Sequence, residues 1–141
     1  MKNLAKLLAG AKLVKRFRID VDDGRTHAVC LDLPRDTGTD MGPSALELCA
    51  MSHAGCYATI FVLTANKMRL ALKDLEVKVE AVKSEETGTI TEENFDITVK
   101  SEAPKDRIQR IHELTLKNCP VGKLFEKAGV KLSYNIRNEK E

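Results

Sequence analysis

Residues 44–65 read SALELCAMSHAGCYATIFVLTA, and how this segment is read decides the fold. Ser44 followed three residues later by Glu47 fits a capping box, so a helix begins here. From residue 54 to residue 65 the apolar side chains occupy nearly the whole circumference of that helix rather than one stripe. A sheet covers only one side of a helix, so a second chain is expected to cover the rest. From Lys67 the segment turns basic, which suits the negative end of the helix dipole, and the helix is expected to end near Leu72. At its most apolar point stands a thiol, Cys56.

The elements on either side follow from periodicity. Near the start, Leu4, Leu7 and Leu8 suggest a short amphipathic turn. RFRIDV then alternates Phe17, Ile19 and Val21 against charged neighbours, DDGR supplies a turn, and HAVCLDL alternates Val29, Leu31 and Leu33, which together predict a hairpin. Pro34 ends it, and the polar RDTGTDMGP leads into the long helix. Beyond that helix, LEVKVEAV and FDITVKS read as two strands separated by a polar loop, SEETGTITEEN. Pro104 opens a second helix through Ile108, Ile111 and Leu114, ending at Asn118 or Cys119. Pro120 opens a third, with Val121, Leu124, Phe125 and Ala128 on one face and Gly129 as its C-terminal cap, and VKLSYNI closes as a strand. The order β, β, long α, β, β, α, α, β predicts an α+β domain built on antiparallel pairings, one domain over residues 1–141.

Composition narrows the function. Lys plus Arg number 23 against 21 Asp plus Glu, and a net charge of +2 with scattered basic residues gives no electrostatic ground for a nucleic-acid or membrane partner. The apolar run is short of the roughly 20 residues of a membrane crossing and is broken by Thr59 and Thr64. MKNLAKLLAGAKLVKRFR lacks a signal-peptide pattern, so a cytoplasmic protein is expected. The cysteines are Cys30, Cys49, Cys56 and Cys119, with no CxxC pair and one histidine near Cys56, so neither a metal nor a cofactor is expected. In a reducing compartment, pairing among such thiols is transient and catalytic rather than structural.

Thiol chemistry needs a thiolate, and burial opposes it. His53, three residues before Cys56 and about 5–6 Å away on the same face, could serve as base or cation, or could be a buried histidine bonded to a carbonyl; the residues leave both open. Glu47 lies on the opposite face, roughly 13 Å along the helix from Cys56. It acts either in a site formed with another element or simply as the cap. Cys119, before Pro120, falls at the N-cap of the third helix, where the dipole favours a thiolate, or is a small boundary residue. Cys49 and Cys30 read as core.

GPSALELCAMSHAGC and CPVGKLFEKAGVKLSYNI, together with the element order, resemble the OsmC/Ohr family of osmotically inducible and organic hydroperoxide resistance proteins. The resemblance covers the whole chain. It implies an intertwined homodimer with the long helices at its centre, and a thiol peroxidase in which Cys56 attacks an organic hydroperoxide and Cys119 resolves it, regenerated by a small or protein dithiol. The better-characterised peroxidases of the family carry their functional Glu where this chain has Leu46, and Glu47 matches another branch. They also use an arginine from the first strands, for which Arg16, Arg18 and Arg25 are the candidates. The alternative is a protein of the same fold that binds a small ligand or senses redox state without turnover.

Overall fold

The computed structural model describes residues 4–140. The chain forms two compact units, Met1–Leu48 and Cys49–Glu141. In the first, β1 (Gly10–Lys15), β2 (Arg18–Asp22) and β3 (Ala28–Leu31) make an antiparallel sheet in that order. The expected hairpin joins β2 to β3, with Ile19 opposite Leu31 and Val21 opposite Val29. β1 is an addition to the expected elements. Every residue in it is exposed, so no alternation of burial marks it, and its ladder to β2 alone defines it, with a bulge between Leu13 and Lys15. The amphipathic turn expected at Leu4, Leu7 and Leu8 is not formed: residues 4–9 carry no regular element and the three leucines are exposed. Apolar spacing without a surface to pack on does not sustain a helical turn.

The long helix, α1, spans Ala45–Lys67. Its start is the predicted capping box: the Ser44 N–H donates to Glu47 Oε1 at 2.9 Å, and the Glu47 N–H donates to Ser44 Oγ at 3.2 Å. The helix stops before the expected end. Arg69 takes a left-handed conformation (φ 54°), the Leu70 N–H donates to the Ala65 carbonyl at 2.9 Å, and Leu70 turns into the core. Arg107 Nη2 donates to the Met68 carbonyl at 2.7 Å, satisfying another terminal acceptor. The length and apolarity of α1 would suffice for a membrane crossing. Instead its stripe of His53, Tyr57, Phe61 and Ala65 is buried within the unit, while Met51, Val62 and Leu63 face outward.

The second unit holds the sheet β4 (Asp74–Ser84), β5 (Thr89–Lys100) and β6 (Lys131–Glu139), in the order β4-β5-β6, with α2 (Lys105–Asn118) and α3 (Pro120–Lys127) between β5 and β6. β4 and β5 are antiparallel, but β6 runs parallel to β5, a departure from the antiparallel expectation. The physical reason is the connection: α2 and α3 carry the chain back to the starting end of β5, as a parallel neighbour requires. The expected polar loop also shrinks to residues 85–88, because residues 89–94 join β5 and extend it backward. A bulge between Val82 and Lys83 leaves Thr91 without a partner in the register, so Ile90 is buried even though Glu93, Phe95, Ile97 and Val99 set the inward phase.

Tyr57, Phe61 and Ala65 of α1, Phe95, Ile97 and Val99 of β5, and Ile108 and Ile111 of α2 form one core cluster. Phe61 is fully buried at its centre. Phe61→Ala is therefore expected to lower unfolding stability by about 3–5 kcal/mol, measured by denaturant titration.

Candidate functional site

Within the second unit, α1, β5 and α3 bring their chemistry-bearing residues to one place. His53 projects from the buried stripe of α1 and is 1% exposed. Its Nδ1 lies 2.5 Å from Oε1 of Glu93, which β5 presents in phase with Phe95 and which is fully buried. Phe95 meets the imidazole edge-on and Phe125 of α3 stacks on it, each with centroids 4.7 Å apart. The ring is thus held on three sides. Among the described residues Glu93 Oε2 finds no hydrogen-bond partner, a costly arrangement for a buried carboxylate.

Cys119 is the N-cap of α3, 2% exposed, and its sulfur accepts from the Gly122 N–H at 3.4 Å. Burial pushes this thiol up to about 11; the Gly122 amide pulls the other way, and the nearby Cys56 thiol pushes it further up. The two cysteines singled out in the sequence are therefore neighbours. Cys56 is half-buried. A side chain on Gly122 would put its Cβ 3.3 Å from His53 Nε2 and 3.4 Å from Cys119 Sγ, so the imidazole and the thiol both border the space this glycine leaves. A cavity of about 130 Å³ opens here, lined by His53, Tyr57, Cys119, Gly122 and Tyr134 among others. The Tyr57 hydroxyl and His112 Nδ1 are 2.6 Å apart; burial raises Tyr57, lowers His112 and takes Tyr134 up to about 12. Of these, Tyr57 and Tyr134 line the cavity, and with Leu116, Leu132 and Glu126 they give it a wall of mixed polar and apolar character.

Cys49 is exposed and Cys30 half-buried, which corrects the reading of both as core. Cys49 lies a turn before His53, ahead of the first α1 member of the core cluster, Tyr57. Among the described residues, no group of three or more His, Cys, Asp or Glu gathers as a metal cage would require. Glu93 and Gly122 were missed in the sequence. For Glu93 a signal existed: the alternation of Phe95, Ile97 and Val99, carried back one step, lands on it.

The first unit holds the remaining candidates. Glu47 occupies the capping box, where the Ser44 amide and hydroxyl hold its carboxyl below the usual range. Arg25 pairs with Asp23 in the exposed hairpin turn, and Arg16 donates to the Thr37 carbonyl at 3.3 Å. Arg18 Nε donates to Thr39 Oγ1 at 3.1 Å, and the Thr39 hydroxyl donates to Asp32 Oδ2 at 2.6 Å. Asp32 is buried and also accepts from the Leu33 and Met41 amides, at 2.7 and 3.1 Å. Arg16, Arg18, Asp32 and Thr39 line a separate cavity of about 120 Å³. Gly42 fits because it has no side chain: a Cβ there would collide with the Cys30 carbonyl.

A family model described as OsmC-like protein matches residues 38–135. No curated protein matches the chain. Among solved structures, an OsmC-like protein from Mycoplasma pneumoniae superposes with a TM-score of 0.85 at 18% identity, covering 95% of this chain and 97% of that one. An organic hydroperoxide resistance protein from Elizabethkingia anophelis gives 0.75 at 17% identity, covering 99% and 100%. A further one from Legionella pneumophila gives 0.69 at 17% identity, covering 96% and 98%.

The Asp32 hub makes a pH prediction. The Thr39 hydroxyl and the Met41, Leu33 and Thr39 amides hold its carboxyl well below the usual range, against the effect of burial. A depressed carboxylate stabilises the fold above its unfolded pKa, about 4, and that contribution is lost as pH falls below it. The parent should exceed Asp32→Asn in stability at neutral pH, and the gap should narrow toward pH 2 in thermal unfolding followed by circular dichroism.

Proposed function

The chain belongs to the OsmC-like family, and on that premise we propose that it is a thiol-dependent peroxidase that reduces organic hydroperoxides. The observation that carries the reading is that Cys56 lies close enough to act on the buried Cys119 thiol, which itself lines a small cavity. The Cys56 thiolate attacks the terminal oxygen of the hydroperoxide and the O–O bond breaks. The alkoxide leaves and takes up a proton to become the alcohol, and Cys56 is left as a sulfenic acid. Cys119 then displaces hydroxide from that sulfur, forming the Cys56–Cys119 disulfide and water, and an external dithiol reduces the disulfide at the cost of its own oxidation. The likeness to organic hydroperoxide resistance proteins from Elizabethkingia anophelis and Legionella pneumophila supports this substrate class. Glu47 enters through the cap that fixes where α1 starts, and Arg18 through its anchorage on Thr39. All four cysteines are free, in keeping with a reducing, cytoplasmic setting.

The working form in this reading is a homodimer. Met51, Val62 and Leu63 are 54%, 40% and 49% exposed on the outer side of α1, an apolar face that a second copy would cover. A second reading, a redox sensor without appreciable turnover, draws on the burial that raises the Cys119 thiol to about 11 and slows its reaction.

Cumene hydroperoxide with a dithiol reductant separates the two. The parent should consume peroxide well above the rate of dithiol alone, and turnover no faster than that would exclude the peroxidase. Cys56→Ser should be inert, Cys119→Ser should complete one oxidation and stall, and peptide mapping should find a dominant Cys56–Cys119 crosslink rather than one to Cys30 or Cys49. Sedimentation at micromolar concentration should show twice the chain mass of 15.7 kDa; a single-chain species would remove the dimer.

A further inference from the structure

The buried pair of His53 and Glu93 takes no part in the peroxide step as described, yet it is the most enclosed ionisable arrangement in the second unit. Three observations bear on what it does. Glu93 is fully buried, bonds His53 Nδ1 through one oxygen at 2.5 Å, and leaves the other without a partner. His53 is clamped between Phe95 and Phe125, so its ring cannot turn to solvent. The opposite ring nitrogen, Nε2, borders the same space as the Cys119 sulfur: a Cβ on Gly122 would lie 3.3 Å from the one and 3.4 Å from the other.

We infer that His53 is the proton acceptor for Cys119 in the resolving step, and that Glu93 is the residue that positions it. The inference rests on the cysteine-pair reading above and adds the group that makes its second half-reaction feasible. A thiol buried as deeply as Cys119 does not ionise unaided, so it needs a base within reach. A carboxylate at Nδ1 fixes the tautomer in which Nδ1 carries the hydrogen and Nε2 carries the lone pair, on the side where the thiol lies. The step balances internally. The Cys119 S–H proton passes to His53 Nε2, the sulfur attacks the Cys56 sulfenic sulfur, the S–O bond breaks, and the His53 proton goes to the departing hydroxide to make water. Gly122 matters because a methyl group at its Cα would crowd both acceptor and donor, at 3.3 and 3.4 Å. The assignment moves His53 away from Cys56, its neighbour in sequence, to the thiol of a different helix.

The test needs no hydroperoxide, so it is independent of peroxidase activity. In a Cys30→Ser/Cys49→Ser background, Ellman's reagent captures Cys56 and releases one thionitrobenzoate. Attack by Cys119 on that mixed disulfide then releases a second, using the same nucleophile and the same proton acceptor. His53→Gln should slow the second release about a hundredfold and leave the first unchanged. Glu93→Gln, of the same shape but uncharged, should slow it about tenfold. Gly122→Ala, which the helix backbone accommodates, should also slow only the second release. The parent itself supplies a reading that no folding defect can blur: long-range proton–nitrogen NMR correlations of the His53 ring should show hydrogen on Nδ1 and a bare Nε2 whose shift moves in Cys119→Ser. The inference is overturned if the parent gives no second release, if the variants slow both releases equally or neither, or if the opposite tautomer is found.

Discussion

The seating of the α1 stripe on β5 is the constraint from which the rest of the second unit follows. Tyr57, Phe61 and Ala65 share a buried core with Phe95, Ile97 and Val99, and both periodicities, four residues on the helix and two on the strand, bring their next member to the same end. On α1 that member is His53; on β5 it is Glu93. Two polar residues thus continue two apolar rows, and they meet because the rows meet. Burial of this kind is tolerated because each member offers the other a hydrogen bond, and a polar group left alone there would be strongly destabilising.

The same burial governs the cysteines. Enclosure keeps water from a reactive sulfur, but it also raises the Cys119 thiol to about 11. The α3 N-terminus and the Gly122 amide offset only part of that. The site therefore combines a half-buried thiol, Cys56, with a fully enclosed one, Cys119. The first can meet a substrate arriving from outside, and the second is kept for a partner already in place.

What could be read from the sequence was local. The capping box at Ser44 and Glu47, the β2–β3 hairpin and the starts of α2 and α3 at proline each depend on residues a few positions apart, and each is found where its signals stand. What escaped was set by neighbours distant in sequence. β1 exists because β2 pairs with it, not because of any pattern of its own. Glu93 sits in a run so polar that it reads as loop, and only the sheet turns it inward. Gly122 looks like an ordinary small residue until His53 and Cys119 are placed on either side of it. The family resemblance, by contrast, draws on motifs far apart in the chain, which is why the fold was foreseen.

β1 carries a consequence for how the protein behaves at high concentration. It is an outermost strand, so one row of its backbone amides and carbonyls faces away from β2. Such a row is a template on which a strand from another molecule can stack, and apolar Leu13 and Val14 would favour that. The bulge between Leu13 and Lys15 breaks the regular spacing of the row, and Lys12 and Lys15 place like charges along it. The leading strand therefore extends the first sheet while being poorly suited to extending it any further, which protects the chain against edge-to-edge aggregation.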